Sequence, residues 1–451
     1  MPAKFVRRES NALVYEVTIP LDGSKSLLDQ EKNIREALNV AGTMATGEIL
    51  KGFDADGRPI VVDGKKYTCK GVSQQHYECP FGRATVERHV YQSSMGGKTF
   101  CPLEHAARMI ENSTPMFAKI VSFKYANSGS RKAVRDLEET LGRKICPAYM
   151  RTIGEAVGEK AEIYEATIEY ELPDELPPPK QISTSLDGTC MLMSESGWRE
   201  AMAGSISLYD ADGERQHTIY VGAAPEFGKQ QFLEKLEKEV LRIKARFPDA
   251  EYVGLADGAP GNWSFLEKHT TRHIVDFYHV SEYVKHAANA LYAGKQRRLE
   301  KESWIGERLS LLKHEDNAAA NLLEELISEK ESREKKIDHK KAGWTKANKA
   351  TNEEIEVLTT CITYFENNRG RMDYAAQTSI NMPIGSGVIE AACKELIKQR
   401  MVNSGMRWKD AGAASVIAIR SLVLTNKRWE QLWEKFAQAG CPEHKNFSYS
   451  K

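Results

Sequence analysis

A chain of 451 residues with 41% hydrophobic and 8% aromatic content is too long for one ordinary domain, so roughly two to four are expected, with enough apolar material for a sizeable core. Its 63 Lys and Arg balance 63 Asp and Glu, so overall charge offers no argument for a polyanionic partner. No apolar run approaches the roughly 20 residues of a membrane span, "MPAKFVRRESNALVYEVTIP" has no signal-peptide core, and the 8 cysteines form no CxxC pair, so a cytoplasmic protein is expected.

Residues 10 to 20 alternate like a strand, and residues 25 to 50 carry helical spacing in Leu27, Leu28, Ile34, Leu38 and Ile49. From 54 to 92 the texture changes to Asp-Gly turns, Val and Tyr, which predicts short strands and hairpins. Cys79, His89, Cys101 and His105 are zinc-ligating types, but their spacing matches no tight ligand pair. Residues 104 to 170 return to helical spacing. Helices are predicted near 105 to 111, 115 to 125, 131 to 141 and 147 to 160, broken at "YANSGSRKA" and "LGRKICP".

Local charge is uneven where total charge is not. Between Lys119 and Arg151 there are 8 cations against 3 acids, with a similar excess from Lys330 to Lys349. Two readings fit such runs: a solvated helix face, or a surface for phosphates. Short helices bearing Arg131, Lys132, Arg135, Arg143, Lys144 and Arg151 suggest a helix-turn-helix DNA module, with an ordinary helical subdomain as the alternative.

"YELPDELPPPK", rich in proline and acids, cannot sustain a helix and predicts a linker over 171–180. Beyond it the order is strand ("QISTSLDGTCMLM"), hairpin turning at Asp212-Gly213, helix over 228 to 246, strand ("AEYVGLADGA") and strand ("RHIVDFYHV"). This order is the one expected of a ribonuclease-H-like core. Residues 281–374 read as an all-helical insertion, too long for a loop. The fold class expected is multidomain α/β: an N-terminal α+β segment at 1–103, a helical DNA-binding region at 104–170, a catalytic core at 181–280 and 375–410, and a helical tail at 411–451.

Three acids stand where chemistry would want them. Asp187 in "SLDGT" and Asp257 in "ADGAPGNW" each break a buried β run and are followed by glycine. That places a carboxylate at a strand's C-terminal end, although a plain Asp-Gly turn explains each alone. In "PIGSGVIEAACKELIKQRMVNSGMRW" a Ser386 cap would set Glu390 in the first turn of a helix, where the dipole favours an ionised acid. Lys394 and Lys398 follow at four-residue steps, either as ion-pair partners or as phosphate grips. Three converging carboxylates repel, by roughly 4 kcal/mol for two charges at about 4 Å and an effective dielectric of about 20, so a divalent cation is expected among them. Two such ions about 3.5 to 4 Å apart would clamp a phosphodiester.

The stretches "DGRPIVVDGKKYTCKG", "YECPFGRATVERHVYQ", "GGKTFCPLEHAARMI", "SLDGT", "ADGAPGNW", "DFYHVSEYV" and "PIGSGVIEAACKELIKQRM" followed by "SGMRW" together resemble bacterial transposases of the ISKra-type insertion-sequence family. The resemblance covers nearly the whole chain. It implies a DDE transposase that binds the terminal inverted repeats of an insertion sequence and cuts and joins DNA with two Mg²⁺ ions, for which Mn²⁺ can substitute. Its motif falls on Asp187, Asp257 and Glu390. "DFYH" looks like the [CD]-x-x-H signature shared with Mutator-like transposases, which implies that His279 contacts the scissile phosphate or steadies the acids and that Asp276 orients its imidazole. A core histidine capping its own strand is the alternative. Tyr149 and Arg151 are then expected to read DNA, and Lys394, Lys398, Arg400 and Arg407 to hold flanking phosphates. Synapsis implies a homodimer or larger assembly on double-stranded DNA. Relatives often carry a CxxC zinc pair near "YQSSMGGKTFCPLE", where only Cys101 remains.

Two rival readings differ in class. A haloacid-dehalogenase-type phosphatase echoes "SLDGT" and "LADGAPGN", but needs an aspartyl nucleophile where Ser185 stands. A domesticated, catalytically inactive DNA-binding protein would have no need of all three acids.

Overall fold

The computed structural model describes residues 2–165, 168–226, 229–336, 346–403, 405–438, 440 and 447–450. Two compact units divide the chain: one of residues 1–171, 409–423 and 427–451, the other of 172–408 and 424–426. Among the described residues no helix is long and apolar enough to cross a membrane. The positions 103/104 and 280/281 each fall inside a single unit, and residues 409–423 and 427–451 belong with residues 1–171.

The first unit opens with strands β1 (Ala3–Arg8) and β2 (Leu13–Val17), paired antiparallel. Helix α1 (Leu27–Lys51) starts at Ser26, whose hydroxyl accepts the Asp29 N–H at 3.2 Å. Strands β3 (Ile60–Val62), β4 (Lys65–Glu78) and β5 (Arg83–Ser93) form a meander whose free edge takes a short strand, Ser448–Tyr449. Four helices follow: α2 (Pro102–Ala106), α3 (Pro115–Asn127), α4 (Ser130–Leu141) and α5 (Pro147–Glu165). The helix predicted over 105 to 111 is therefore shorter and earlier. Left-handed backbone at Arg108, Glu111 and Asn112 replaces its second half. Gly154 allows α5 to approach α3, since a Cβ there would lie 2.2 Å from the Tyr125 ring. Four residues on, Gly158 does the same for the buried helix Asp410–Leu424, at 2.4 Å from Ser415. Arg420 on that helix donates to the carbonyl of Ala126 and to Asn127 Oδ1, both at 2.9 Å.

The second unit is built on a five-stranded mixed sheet. Its strands are β6 (Gln181–Met193), β7 (Gly197–Tyr209), β8 (Arg215–Ala223), β9 (Glu251–Ala256) and β10 (Arg272–Val275), in the order β10-β9-β6-β7-β8. β6, β7 and β8 are antiparallel neighbours, while β9 and β10 run parallel to β6. Helix α6 (Gln230–Arg246) links β8 to β9, and α7 (Pro260–His269) links β9 to β10. From Gln181 to Leu186, where β6 lies between β7 and β9, every residue is buried; past Leu186 only β7 accompanies it and exposed positions return.

Helices α8 (Phe277–Leu291), α9 (Arg298–His314), α10 (Ala318–Lys336) and α11 (Lys346–Asn368) form the all-helical stretch, which shares one apolar core with the sheet. The rings of Tyr283 and Tyr364 stack at 3.7 Å and 11°. Part of the cationic run from Lys330 to Lys349 lies outside the described residues, as does Cys441. Short helices α12 (Tyr374–Ser379) and α13 (Gly387–Ala392) follow, and α13 runs on as a π-helix over Cys393–Lys398.

Two expectations differ from what the structure shows. The strand read over "QISTSLDGTCMLM" forms in full as β6, but Asp187 lies inside it and not at its C-terminal end, because the hairpin with β7 pairs every residue from Gln181↔Tyr209 to Met193↔Gly197. The strand predicted over "RHIVDFYHV" stops at Val275: Asp276 caps α8 by accepting the Tyr278 N–H at 3.0 Å, so His279 is helical.

Candidate active site

The parallel half of the sheet aligns three aspartates. β6 and β9 pair in register from Gln181↔Glu251 to Ser185↔Leu255, and β9 and β10 to Ala256↔Val275. Carried past the last pairs, the same register sets Asp187 beside Asp257 and Asp257 beside Asp276. The Asp276 N–H, bonded to the Ala256 carbonyl at 2.8 Å, continues the ladder to that row. Asn262 ties the row together by donating to the Leu186 carbonyl and to Asp257 Oδ1, each at 3.3 Å.

Asp276 is fully buried. Its carboxylate accepts the N–H of Tyr278 at 3.0 Å, the N–H of Ser386 at 3.1 Å and the Ser386 hydroxyl at 2.8 Å. The His279 imidazole that the sequence reading expected it to orient is not among these partners and lies toward Glu282 instead. The His279 imidazole is 43% exposed, with Nδ1 3.8 Å from Glu282. Ser386 precedes α13, and Glu390 Oε1 stands 3.3 Å from its hydroxyl oxygen. That hydroxyl has one proton, which the closer Asp276 receives.

The far end of the Glu390 segment is anchored too. Trp408 exchanges backbone bonds with the end of β6, its N–H to the Leu192 carbonyl at 3.0 Å and its carbonyl from Ser194 N–H at 2.7 Å. Its indole N–H donates to the Met401 carbonyl at 2.9 Å. Between these anchors the π-helix adds a residue to the turn, a distortion found often at functional sites. Buried Cys393 points its thiol at Asp187 Oδ2, 3.6 Å away. Burial, with Asp187 adding to it, holds that thiol well above its ordinary pKa.

A cavity of about 900 Å³ opens at this edge, lined by Asp187, Tyr278, His279, Glu390, Lys394 and Lys398 among others. Asp257 is not part of its lining, and among the described residues no three of His, Cys, Asp and Glu gather closely enough to cage a metal ion. The charge balance nonetheless suits a hard cation. Burial lifts the Asp187 carboxyl above the usual range and Asp257 adds to the rise, against the Gly188 N–H, Cys393 and Lys398. Of the three acids expected to hold Mg²⁺, Asp187 and Glu390 present carboxylate oxygens, the donor type that ion takes, to the cavity.

The expected DNA contacts divide. Lys394 and Lys398 are exposed in the cavity, and Arg407 is exposed beyond it. Arg400 is turned inward, 4% exposed, with its guanidinium 4.9 Å over the Trp408 ring. In the first unit Arg131, Lys132, Arg135 and Arg151 are exposed, and Lys144 lies 3.7 Å from Glu138. Arg143 is internal: it pairs with Glu78, donates to the carbonyls of Cys79 and Gly82 at 3.0 Å, and covers the Phe117 ring. The Tyr149 hydroxyl donates to the Glu111 carbonyl at 2.6 Å. The zinc-type residues have other partners: His89 Nδ1 lies 2.9 Å from Asp54, and the His105 ring packs on Phe100 at 4.4 Å. Cys79 and Cys101 are buried thiols.

Sequence reasoning missed Cys393 and Tyr278, and it gave Ser386 only a helix-capping role, whereas the Ser386 hydroxyl donates to Asp276. Spacing from Glu390 marks Cys393 as one turn on. Compared with models of known protein families, the chain matches none, and no curated protein matches it significantly.

Proposed function

We propose that the second unit is a ribonuclease-H-like nuclease core and the chain a DDE-type transposase, which cuts DNA at transposon ends and transfers the freed strand. The observation that carries this reading is the meeting of Asp187, Glu390 and two lysines on one cavity, with Asp257 near enough to Asp187 to raise its pKa. Three antiparallel strands followed by two parallel ones, with helices α6 and α7 as crossovers, is the strand order such a core requires.

Asp187, Asp257 and Glu390 would hold Mg²⁺. When bound, magnesium supplies Lewis-acid polarisation of the phosphodiester. The chain's own groups do the rest. Lys394 and Lys398 neutralise phosphates along the cavity wall, and His279 offers an N–H to a phosphate oxygen. Cys393, kept protonated by burial and by Asp187, is a poor nucleophile, which favours direct displacement by water or a 3′-hydroxyl over a thiol-linked intermediate. In the first unit, Arg131, Lys132, Arg135 and Arg151 would grip the terminal repeats, and pairing of two ends would require at least a dimer.

The test is cleavage of labelled terminal-repeat DNA with and without Mg²⁺. Asp187→Asn, Asp257→Asn and Glu390→Gln should each abolish cutting while end binding persists. Cutting retained by one variant removes that acid from the site, and cutting undiminished in excess chelator overturns the reading.

A further inference from the structure

Tyr278 is a large aromatic side chain left mostly outside the core. Its neighbours Phe277 and Val280 are buried, whereas Tyr278 is 65% exposed and lines the cavity that holds Asp187 and Glu390. It is nevertheless not free to wander. Its backbone N–H is held by Asp276 at 3.0 Å. One ring edge lies on Gly385, where a Cβ would come within 3.1 Å of Cδ2 and 3.2 Å of Cε2. The glycine thus makes room for the ring at that position, and the rest of the ring is left to the cavity.

We propose that Tyr278 is a stacking platform for the nucleobase next to the scissile phosphate, so that the site takes DNA whose base at that step has left the helical stack. This rests on the strand-cleavage reading above. A paired, stacked base has no free face to offer, while an extruded base brings a π surface that needs covering. Lys394 and Lys398 on the same cavity supply charge for the backbone phosphates on either side. Stacking of this kind is tolerant of base identity, so it selects for distortion at the cleavage step and not for sequence.

The experiment compares parent, Tyr278→Ala and Tyr278→Phe full-length chains on three end duplexes: fully paired, mismatched at the flanking base, and abasic at that position. Cleavage is followed with Mg²⁺, and affinity by fluorescence anisotropy without it. Tyr278→Ala should lower kcat/KM on mismatched DNA by roughly 10-fold, within the range known for base–aromatic stacking, and change it little on abasic DNA, where nothing remains to stack. Tyr278→Phe should restore the parent values. An equal loss on abasic DNA, or a phenylalanine variant as poor as alanine, would each overturn the platform while leaving the cleavage reading intact, whereas a covalent tyrosine–DNA adduct would overturn both. A parent chain that neither cuts nor binds the duplexes would overturn both.

Discussion

Asp276 and Ser386, on different elements of the second unit, are joined by two hydrogen bonds, one from the serine N–H at 3.1 Å and one from its hydroxyl at 2.8 Å. With the Tyr278 N–H, three donors converge on one buried carboxylate. Asp276→Asn would turn an NH₂ toward one of those donors, at a cost of about 1–3 kcal/mol for the unsatisfied group. Ser386→Ala removes one bond and should cost about 1 kcal/mol. Urea unfolding should rank the two in that order, and cleavage should fall in both because Glu390 rides on the segment that Ser386 starts. Unfolding curves that overlay the parent's would show that the grip contributes nothing.

Asp187 links stability to pH in the direction opposite to an ion-paired acid. Burial raises its pKa in the folded chain, with Asp257 adding to the rise. The folded state therefore binds this proton more tightly than the unfolded one, whose value is about 3.9. The stabilising contribution is full below the unfolded value and is lost as pH rises through the folded one, so at pH 7 the ionised group opposes folding. Asp187→Asn should raise the melting temperature at pH 7, with a gain that shrinks toward pH 3.5. Added Mg²⁺ should stabilise the parent, by about 2.7 kcal/mol at 100 times its Kd, and leave the variant's melting point unchanged. A variant that melts below the parent at pH 7 would contradict the sign.

How far the sequence reaches is clear from these same residues. Asp187 and Asp257 are legible as candidates because each stands in an Asp-Gly pair within or just after an apolar β run, and the full length of β6 is legible in "QISTSLDGTCMLM". That Asp187 falls inside the strand is not legible, since it depends on β7 pairing to Gly197 after β9 has stopped. "DFYHV" is short and mostly apolar, and such a run does not separate strand from helix; the Asp276 cap decides it. The π-helix at Cys393–Lys398 carries no signature in residue type. Cationic residues are easily found, but Arg143 and Arg400 turn inward because Glu78 and Trp408, set by tertiary structure, receive them.

Arg143 should behave as a structural residue. Its side chain is 12% exposed and that of Glu78 10%. Arg143→Ala would leave Glu78 to Arg83 alone, take the guanidinium donor from the Cys79 carbonyl, and leave the Gly82 carbonyl with the Cys79 N–H. Breaking a buried pair costs about 3–5 kcal/mol, and the surviving Arg83 contact sets the expectation near the lower figure. Thermal unfolding of Arg143→Ala should show this loss, whereas Arg131→Ala and Lys132→Ala should melt within about 0.5 kcal/mol of the parent, as surface changes do. If Arg143→Ala melts like the parent, the ion pair is not holding α4's exit to the β4–β5 turn.

Lys394 and Lys398 separate a phosphate grip from an intrahelical ion pair by their response to salt. Each phosphate neutralised by the chain contributes about −0.9 to the slope of log K against log salt on duplex DNA. If both lysines contact phosphates, Lys394→Ala and Lys398→Ala should each flatten the slope by about 0.9, and the double variant by about 1.8. Because both are exposed, neither substitution should move the melting temperature much. Lys398 carries an additional effect, since it lowers the pKa of Asp187. Its removal should therefore shift the acid limb of the cleavage profile to higher pH, while Lys394→Ala, which does not figure in that balance, should leave the limb in place. Slopes that match the parent in both variants, measured by anisotropy on the same labelled end duplex, would return the two lysines to the role of solvated helix charges and leave the cavity without its DNA grip.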